Sequence, residues 1–356
     1  MRVGIFDPYL DDLGGGEKYM MTIAECLSKN HDVYIFWDNK KDISELSYRF
    51  PLDLSKVKII KNIFAPGFSF IKRIIESKEY DVIIVLSDGS IPFVLSKKLF
   101  IHIQQPMKYM QTDSVIDKLK LARVNKFFCN SQYTKSFIDK KFGLKTIVLY
   151  PPVALYPKNI KKENIILHVG RFRVKNVNRQ DYKKQGIMIA TSKQMVNEGL
   201  RDWKFILAVG VQEKDRKIFE AMKRQSEGFP IEFLINKSND KLWDIYSKAK
   251  IYWHASGFGE DLEEHPEYAE HFGISTVEAM GAGAVPVVIN SGGQKEIVTD
   301  EKNGFLWDSL DELRKKTTDL INNELLLNKL SREAVESARK FSKEKFYREI
   351  NSLVLS

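Results

Sequence analysis

Cysteine is nearly absent from this chain. Cys26 and Cys129 are the only two in 356 residues, too few for a disulfide framework or a thiolate metal site, so a reducing cytoplasm is the expected compartment. Long apolar runs are missing as well: no stretch approaches the roughly 18 apolar residues that a membrane-crossing helix needs. Met1-Arg2-Val3-Gly4-Ile5-Phe6 reads as a first strand and not as a signal peptide, which leaves a chain neither secreted by that route nor membrane-spanning. Three phosphate signatures are also absent. No G-x-G-x-x-G and no G-x-x-x-x-G-K-[ST] follows the first strand, and no Asp-x-Asp pair sits at a strand end to clamp a metal on a diphosphate. The six histidines form neither H-x-x-x-H nor H-E-x-x-H, the helical spacings of a zinc site.

What remains is an ordinary globular composition, 43% apolar and 29% charged, in a chain long enough for two domains. The net charge of +9 is unevenly placed. Residues 1–150 carry 23 Lys and Arg against 17 Asp and Glu, and the remainder 33 against 30, so the excess sits where an anionic membrane leaflet would be met. No Arg-aromatic platform or nucleic-acid motif accompanies it, and nucleic acid is not an expected partner.

Val3-Gly4-Ile5-Phe6-Asp7, the glycine loop Leu13-Gly14-Gly15-Gly16-Glu17-Lys18, a helical spacing of Tyr19, Ile23, Cys26 and Leu27, and His31 to Trp37 make one βαβ unit. Its glycines fall at the carboxyl end of strand one, where open parallel sheets bind ligands; a flexible turn and a phosphate site are both open readings of them. Further strands are predicted at 57–60, 82–86, 99–103, 126–130 and 146–150, apolar on both faces as in a covered parallel sheet. The stretch Ile63 to Ile75 mixes Phe and Ile with Lys and Arg, and reads either as a core helix or as a surface that docks on lipid. Tyr150-Pro151-Pro152-Val153 and the Lys-rich run to Lys162 form a linker. The pattern then restarts with strands at 165–171, 203–210, 231–235, 250–254 and 285–289. Two similar α/β halves are expected to face each other across a cleft.

Glu270-His271-Phe272-Gly273-Ile274-Ser275-Thr276-Val277-Glu278 places two carboxylates around a small-residue turn and a helix start. Ser275 and Glu278 have the spacing of an S-x-x-E capping box, and the main-chain N–H groups of Gly273 to Thr276 would converge on an anion at the positive helix end. His254, His265 and His271, with Glu260, Glu263, Glu264 and Glu267, make a charged rim rather than a metal site.

In order along the chain, Gly14-Gly15-Gly16-Glu17, Asn130-Ser131-Gln132-Tyr133-Thr134, Tyr150-Pro151-Pro152-Val153, Val169-Gly170-Arg171, Glu270 to Glu278 and Ser291-Gly292-Gly293-Gln294-Lys295-Glu296-Ile297-Val298 resemble the GT4-type retaining glycosyltransferases of the GT-B fold. The resemblance implies two Rossmann-like domains: an acceptor domain over 1–153, with a final helix at about 340–356 crossing back to it, and a donor domain over 160–338. It implies hexose transfer from a nucleoside-diphosphate sugar to a glycan, lipid-linked or lipid acceptor, with retained anomeric configuration, no essential metal and no other cofactor, in the cytoplasm or peripherally at the inner membrane face. By the same resemblance Arg171 and Lys184, with Lys183 as the fallback after the insertion Phe172 to Tyr182, neutralise the leaving diphosphate. Glu278 would bind the ribose and Glu270 would lie beside the sugar. Phe272, Gly273, Ile274 and Ser275 would line the donor, with Ile235 at the neighbouring strand end. Gly15 and Gly16 would close from the first domain, and His102 occupies a position near the donor sugar, where a core histidine is an equal reading. A nucleotide-sugar epimerase or a non-catalytic nucleotide-sugar-binding subunit of the same fold is the alternative.

Overall fold

A computed structural model describes residues 1–12, 14–50, 52–110, 112, 114–174 and 181–356. Leu13, at the head of the glycine loop, and residues 175–180 of the insertion after Arg171 lie outside the described residues. The chain divides into two units, Met1–Pro152 with Lys343–Ser356, and Val153–Ser342.

The first unit runs β1 (Arg2–Phe6), α1 (Gly15–Leu27), β2 (Asp32–Phe36), α2 (Lys40–Arg49), β3 (Lys58–Ile60), α3 (Phe70–Ser77), β4 (Val82–Leu86), β5 (Lys98–Ile103), α4 (Val115–Ala122), β6 (Val124–Cys129), α5 (Gln132–Phe142) and β7 (Thr146–Val148). Its strands pair in parallel in the order β3-β2-β1-β4-β5-β6-β7. Helices cover both faces, which is why a strand such as Val82–Leu86 is buried along its whole length. The order reverses direction between β1 and β4. Right-handed crossovers therefore place α1 and α2 on one face and α3, α4 and α5 on the other. The two cores reflect this: Tyr19, Met20, Ile43 and Leu46 pack on one side, and Ile63, Ile83, Ile101 and Ile138, with Leu121, on the other.

The second unit runs β8 (Glu163–Phe172), α6 (Gln185–Asn197), β9 (Lys204–Val211), α7 (Arg216–Arg224), β10 (Ile231–Ile235), α8 (Asn239–Lys248), β11 (Ala249–His254), α9 (Ile274–Gly281), β12 (Val285–Ile289), α10 (Gln294–Ile297), β13 (Phe305–Trp307), α11 (Leu310–Asn322) and α12 (Glu324–Ala338). Its parallel sheet has the order β10-β9-β8-β11-β12-β13, and its core is built on Phe205, Leu207, Trp253, Val287 and Trp307. The last helix, α13 (Lys343–Leu355), belongs to the first unit. It buries Phe346, Ile350, Leu353 and Val354 in the α1 face: Phe346 meets Tyr19 edge to face at 5.4 Å, and Asn351 donates to Cys26 Sγ at 3.3 Å.

Both sheets have the parallel, doubly covered character that their apolar strands imply. Two local expectations need correction. The Ser275–Glu278 capping box does not form. Gly273 takes the N-cap position with φ 119° and ψ 55°, so Ser275 lies inside the helix and its hydroxyl instead pairs with Tyr252 Oη at 2.8 Å, while Glu278 accepts from Tyr246 Oη at 2.9 Å. The stretch from Ile63 to Ile75 is neither wholly core nor wholly surface. Ile63 is buried and Phe64 stacks on Phe6 at 4.4 Å, but from Phe70 onward α3 turns apolar side chains outward.

Candidate functional site

In the second unit the strand order reverses between β8 and β11. At such a switch point the connections leaving two adjacent strands part in opposite directions, and a crevice opens at their carboxyl ends. The end of β8 carries Arg171 and the segment after it Lys183 and Lys184; the segment after β11 carries Glu260 and Glu270. Fold topology thus explains two contacts between residues more than 70 positions apart. Lys183 Nζ bonds Glu270 Oε2, and Lys184 Nζ bonds Glu260 Oε1, both members of the latter pair nearly buried.

Glu270 is the best-held carboxylate of the group. The same Oε2 receives a hydrogen bond from His254 Nε2 at 2.8 Å. Burial pushes its pKa up, but the Lys183 ammonium and His254 more than offset this and hold it well below the usual carboxylate range. His254 has its own pKa lowered, first by burial. Its Nδ1 accepts from Ser256 N at 3.4 Å, which assigns the proton to Nε2 and points it at Glu270. An ionised carboxylate, a neutral histidine and an ammonium therefore share one oxygen. Beneath them His168 is fully enclosed, donating from Nδ1 to the Trp253 carbonyl at 3.0 Å.

The main chain around Glu270 is fixed by the loop before α10. Gly293 N donates to the Glu270 carbonyl at 2.7 Å, and a Cβ on Gly293 would stand 2.4 Å from Phe272 Cα. At Gly273 the positive φ and a Gln294 Nε2 only 2.7 Å from a would-be Cβ both demand glycine. The α9 ladder begins with Thr276 N and Val277 N on the Gly273 carbonyl, leaving the N–H groups of Ile274 and Ser275 ahead of it at the positive helix end. The Phe272 side chain is buried against Phe341, ring centroids 5.2 Å apart, so that residue offers a ligand only its backbone. Ile274 and Ile235 are half-buried, Ile235 at the carboxyl end of β10. Arg171 is the second-last residue of β8 and is exposed.

The N-terminus of α6 is a different case. Asp181 accepts N–H bonds from Gln185 and Gly186, so a carboxylate already fills the place an anion would take. A cavity of about 290 Å³ opens beside it, lined by Lys184, Asp181, Phe172, Ile187, Ile218 and Met222.

In the first unit Gly14 is the N-cap of α1, with Gly15 and Gly16 as its first residues. Glu17 Oε2 accepts from Gly14 N at 2.5 Å. Asp7 at the end of β1 is fully buried, its pKa pushed up to about 8 by burial, with Glu17 and Asp11 adding to the shift and the N–H of Tyr9 opposing it. The glycine loop is thus bordered by carboxyl groups. His102 is buried in a stack between Tyr19 at 4.4 Å and Phe128 at 4.7 Å, and burial lowers its pKa to about 4. Its Nε2 donates to Gln104 Oε1 at 2.6 Å. Gln104 in turn lies over Gly16, 3.6 Å from the position of a Cβ there.

The structure thus brings Lys183 onto Glu270 and Lys184 onto Glu260, sets Gly273, Ile274 and Ser275 at the start of α9 just beyond Glu270, and places Glu278 further along that helix. Sequence reasoning missed Tyr246, Tyr252 and Gln294. The two tyrosines lie on a helix and a strand where an aromatic residue reads as core. Gln294, buried with neither amide atom partnered among the described residues, was visible only as one letter of the Gly-Gly-Gln turn. No group of three His, Cys, Asp or Glu among the described residues is arranged to hold a metal ion.

Comparison with known proteins places these features. A family model described as glycosyl transferases group 1 matches residues 157–341. The GDP-Man:Man(3)GlcNAc(2)-PP-Dol alpha-1,2-mannosyltransferase of Dictyostelium discoideum is 28% identical over 241 residues, covering 64% of this chain and 45% of that protein; the chain therefore spans about half of that relative's length. The GalNAc-alpha-(1->4)-GalNAc-alpha-(1->3)-diNAcBac-PP-undecaprenol alpha-1,4-N-acetyl-D-galactosaminyltransferase of Campylobacter jejuni is 24% identical over 355 residues, covering 92% of this chain and 91% of that one. Among solved structures, Anabaena HepE in complex with UDP superposes with a TM-score of 0.71 at 18% identity over 99% of both chains. A glycosyltransferase from Rickettsia africae reaches 0.76 at 14% identity, covering 99% of this chain and 97% of that one. At these identities the structural likeness is one of fold.

Proposed function

This chain belongs to the glycosyl transferases of group 1, and we propose that it is a GT4-type, retaining hexosyltransferase that moves a hexose from a nucleoside-diphosphate sugar to a lipid-linked glycan. The observation that carries the reading is the Glu270 carboxylate, kept ionised between His254 and Lys183 at the switch point of the second unit. Glu270 lies beside the transferred sugar, where a fixed negative charge stabilises the positive character that develops at the reacting carbon. Lys183 and His254 position it. Arg171 and Lys184 neutralise the departing diphosphate, with the N–H groups of Ile274 and Ser275 at the positive end of α9. Glu278, oriented by Tyr246, accepts from the ribose hydroxyls, and Ile235 and the Phe272–Gly273 backbone complete the donor contacts. The glycine loop at Gly15 and Gly16, and Gln104 held by His102, serve the same reaction from the first unit, the acceptor-binding one. The leaving diphosphate takes the proton of the acceptor hydroxyl on the face from which it departs, so a positive side-chain environment replaces an essential metal.

A lipid-linked acceptor is favoured because the two curated relatives are named for -PP-Dol and -PP-undecaprenol glycans. Such an acceptor puts the work at a membrane surface, on the cytoplasmic side in our reading. The test is transfer from labelled GDP- and UDP-hexoses to a polyprenyl-diphosphate glycan, with the anomeric configuration of the product read by NMR. Glu270→Ala should lower kcat/KM by at least about a hundredfold while the protein stays folded. Donor binding without transfer or hydrolysis would replace this reading by that of a binding subunit, and an epimerised donor by that of an epimerase. The donor base is identified by thermal shift, since a ligand at a hundred times its Kd adds about 2.7 kcal/mol to stability.

A further inference from the structure

One face of the first unit differs from the other in both charge and polarity. Residues 61–145, which supply α3, α4 and α5, carry 15 Lys and Arg against 7 Asp and Glu, whereas residues 1–60, which supply α1 and α2, carry 8 against 10. The charge excess of the unit is therefore concentrated in the segment that covers a single face of its sheet. That face also exposes large apolar side chains: on α3 Phe70 at 58%, Ile71 at 70% and Ile75 at 60%, and on α4 Val115 at 76%, Ile116 at 65% and Leu119 at 59%. α4 has no buried residue at all, although its sequence Val-Ile-Asp-Lys-Leu-Lys-Leu-Ala could have covered a core. The acid on its first turn is neutralised locally, Asp117 being bonded by Ser114 and paired with Lys120 at 3.7 Å. Lys72, Lys78, Lys108, Lys118, Lys140 and Lys141 are exposed in the segments that form this face, against the exposed acids Glu76 and Glu79. Crossover helices run antiparallel to the strands, so α3 and α4 both begin at the carboxyl ends of the sheet, the ligand-binding end.

We infer that the outer surfaces of α3 and α4 form a docking surface for an anionic lipid bilayer, with Phe70, Ile71, Ile75, Val115, Ile116 and Leu119 entering the interface and the lysines of α3, α4 and α5 meeting lipid phosphates. The occupant is argued from charge complementarity. Each helix presents apolar side chains in a segment with a net basic excess, the pattern of an interfacial helix, and each basic residue near an anionic leaflet adds attraction that a neutral surface cannot supply. This deepens the lipid-linked acceptor reading and rests on it only for its purpose: the ligand-binding end of the acceptor unit would be held at the plane in which such an acceptor lies.

Vesicle flotation of the full chain tests it without donor or acceptor. The protein should float with phosphatidylglycerol-containing vesicles and not with phosphatidylcholine alone. Ile71→Glu/Ile75→Glu and Ile116→Glu/Leu119→Glu should each lower the partition coefficient about tenfold or more, with unchanged thermal midpoints because the positions are exposed. Lys40→Gln/Lys41→Gln, which makes the same charge change of two on α2 of the opposite face, should stay within about twofold. Equal binding to neutral vesicles, or full binding by the two apolar variants, overturns the inference. So does a dimer, seen by light scattering and dissolved by the same variants, in a protein that binds no vesicles; that result assigns the face to a second copy. Transfer to a water-soluble acceptor on the same preparations separates the two ideas: loss of vesicle binding with transfer intact refutes only this surface, and vesicle binding without transfer refutes only the proposed function.

Discussion

Asp7 is the residue whose burial has the clearest measurable effect. One oxygen accepts from Tyr9 N at 2.9 Å, the other has no partner among the described residues, and its pKa is pushed up to about 8. Between the unfolded carboxyl value and pH 8 the native state holds a proton that the unfolded chain has lost. Its stabilising contribution is complete at low pH and falls as pH rises through 8, by at most about 1.4 kcal/mol per pH unit. His102 and His168, lowered to about 4 and about 3 mainly by burial, act in the opposite sense: their stability is present above pH 6.5 and lost below it. Urea unfolding should therefore show a maximum near neutrality, and Asp7→Asn should remove the decline from pH 7 to 8 while leaving the acid limb in place. An unchanged alkaline limb in that variant would assign the decline to another group. The same residue scale shows where sequence fell short. Ser275 and Glu278 have the letters of a cap, but the left-handed Gly273 two positions earlier starts the helix first. His254 lies in an apolar strand, where nothing in the letters separates a filler of the core from the partner of Glu270.

At the scale of elements, the site is a turn and a half-helix braced from behind. Gly273 carries φ 119°, and its Cβ position is 2.7 Å from Gln294 Nε2 and 3.1 Å from Ile297 Cδ1. Gly273→Ala is expected to cost about 1–3 kcal/mol, seen as a drop of a few degrees in Tm, and to weaken donor binding because the N–H groups of Ile274 and Ser275 move with the turn. Full stability and full donor affinity in this variant would remove the turn from the site. Element identity is legible where apolar runs are rich in β-branched residues, as at 82–86 and 285–289. The short β13 (Phe305–Trp307) was not predicted, because three residues carry too little periodicity. The outward turn of α3 was hidden for another reason: Phe64 and Phe70 are the same residue type a few positions apart, and only the sheet decides which of them it covers.

For the whole molecule, the division of the chain is uneven. The second unit is one continuous segment, Val153–Ser342, while the first needs Lys343–Ser356 to complete it. Residues 153–342 produced alone should unfold cooperatively and retain nucleotide binding. Residues 1–152 alone would expose the α1 face that Phe346, Ile350 and Leu353 cover, and should aggregate or bind a hydrophobic dye until the 343–356 segment is supplied in trans. A soluble, dye-negative 1–152 fragment would show that α13 is dispensable. The two-sheet architecture could be anticipated because the strand–helix alternation restarts after the Tyr150–Val153 prolines; the return of the last helix to the first unit follows from the family resemblance alone, since the amphipathic pattern of α13 is one that either unit could have used.

The return of α13 also sets an order of events during synthesis. A ribosome delivers the first unit's strands early, but the helix that seals its α1 face comes only after the entire second unit has emerged. The unit made first is thus the one completed last. Until translation passes Val354, the α1 face around Tyr19 and Cys26 lacks the cover that Phe346, Ile350 and Leu353 supply, although every residue of the second unit has already been made.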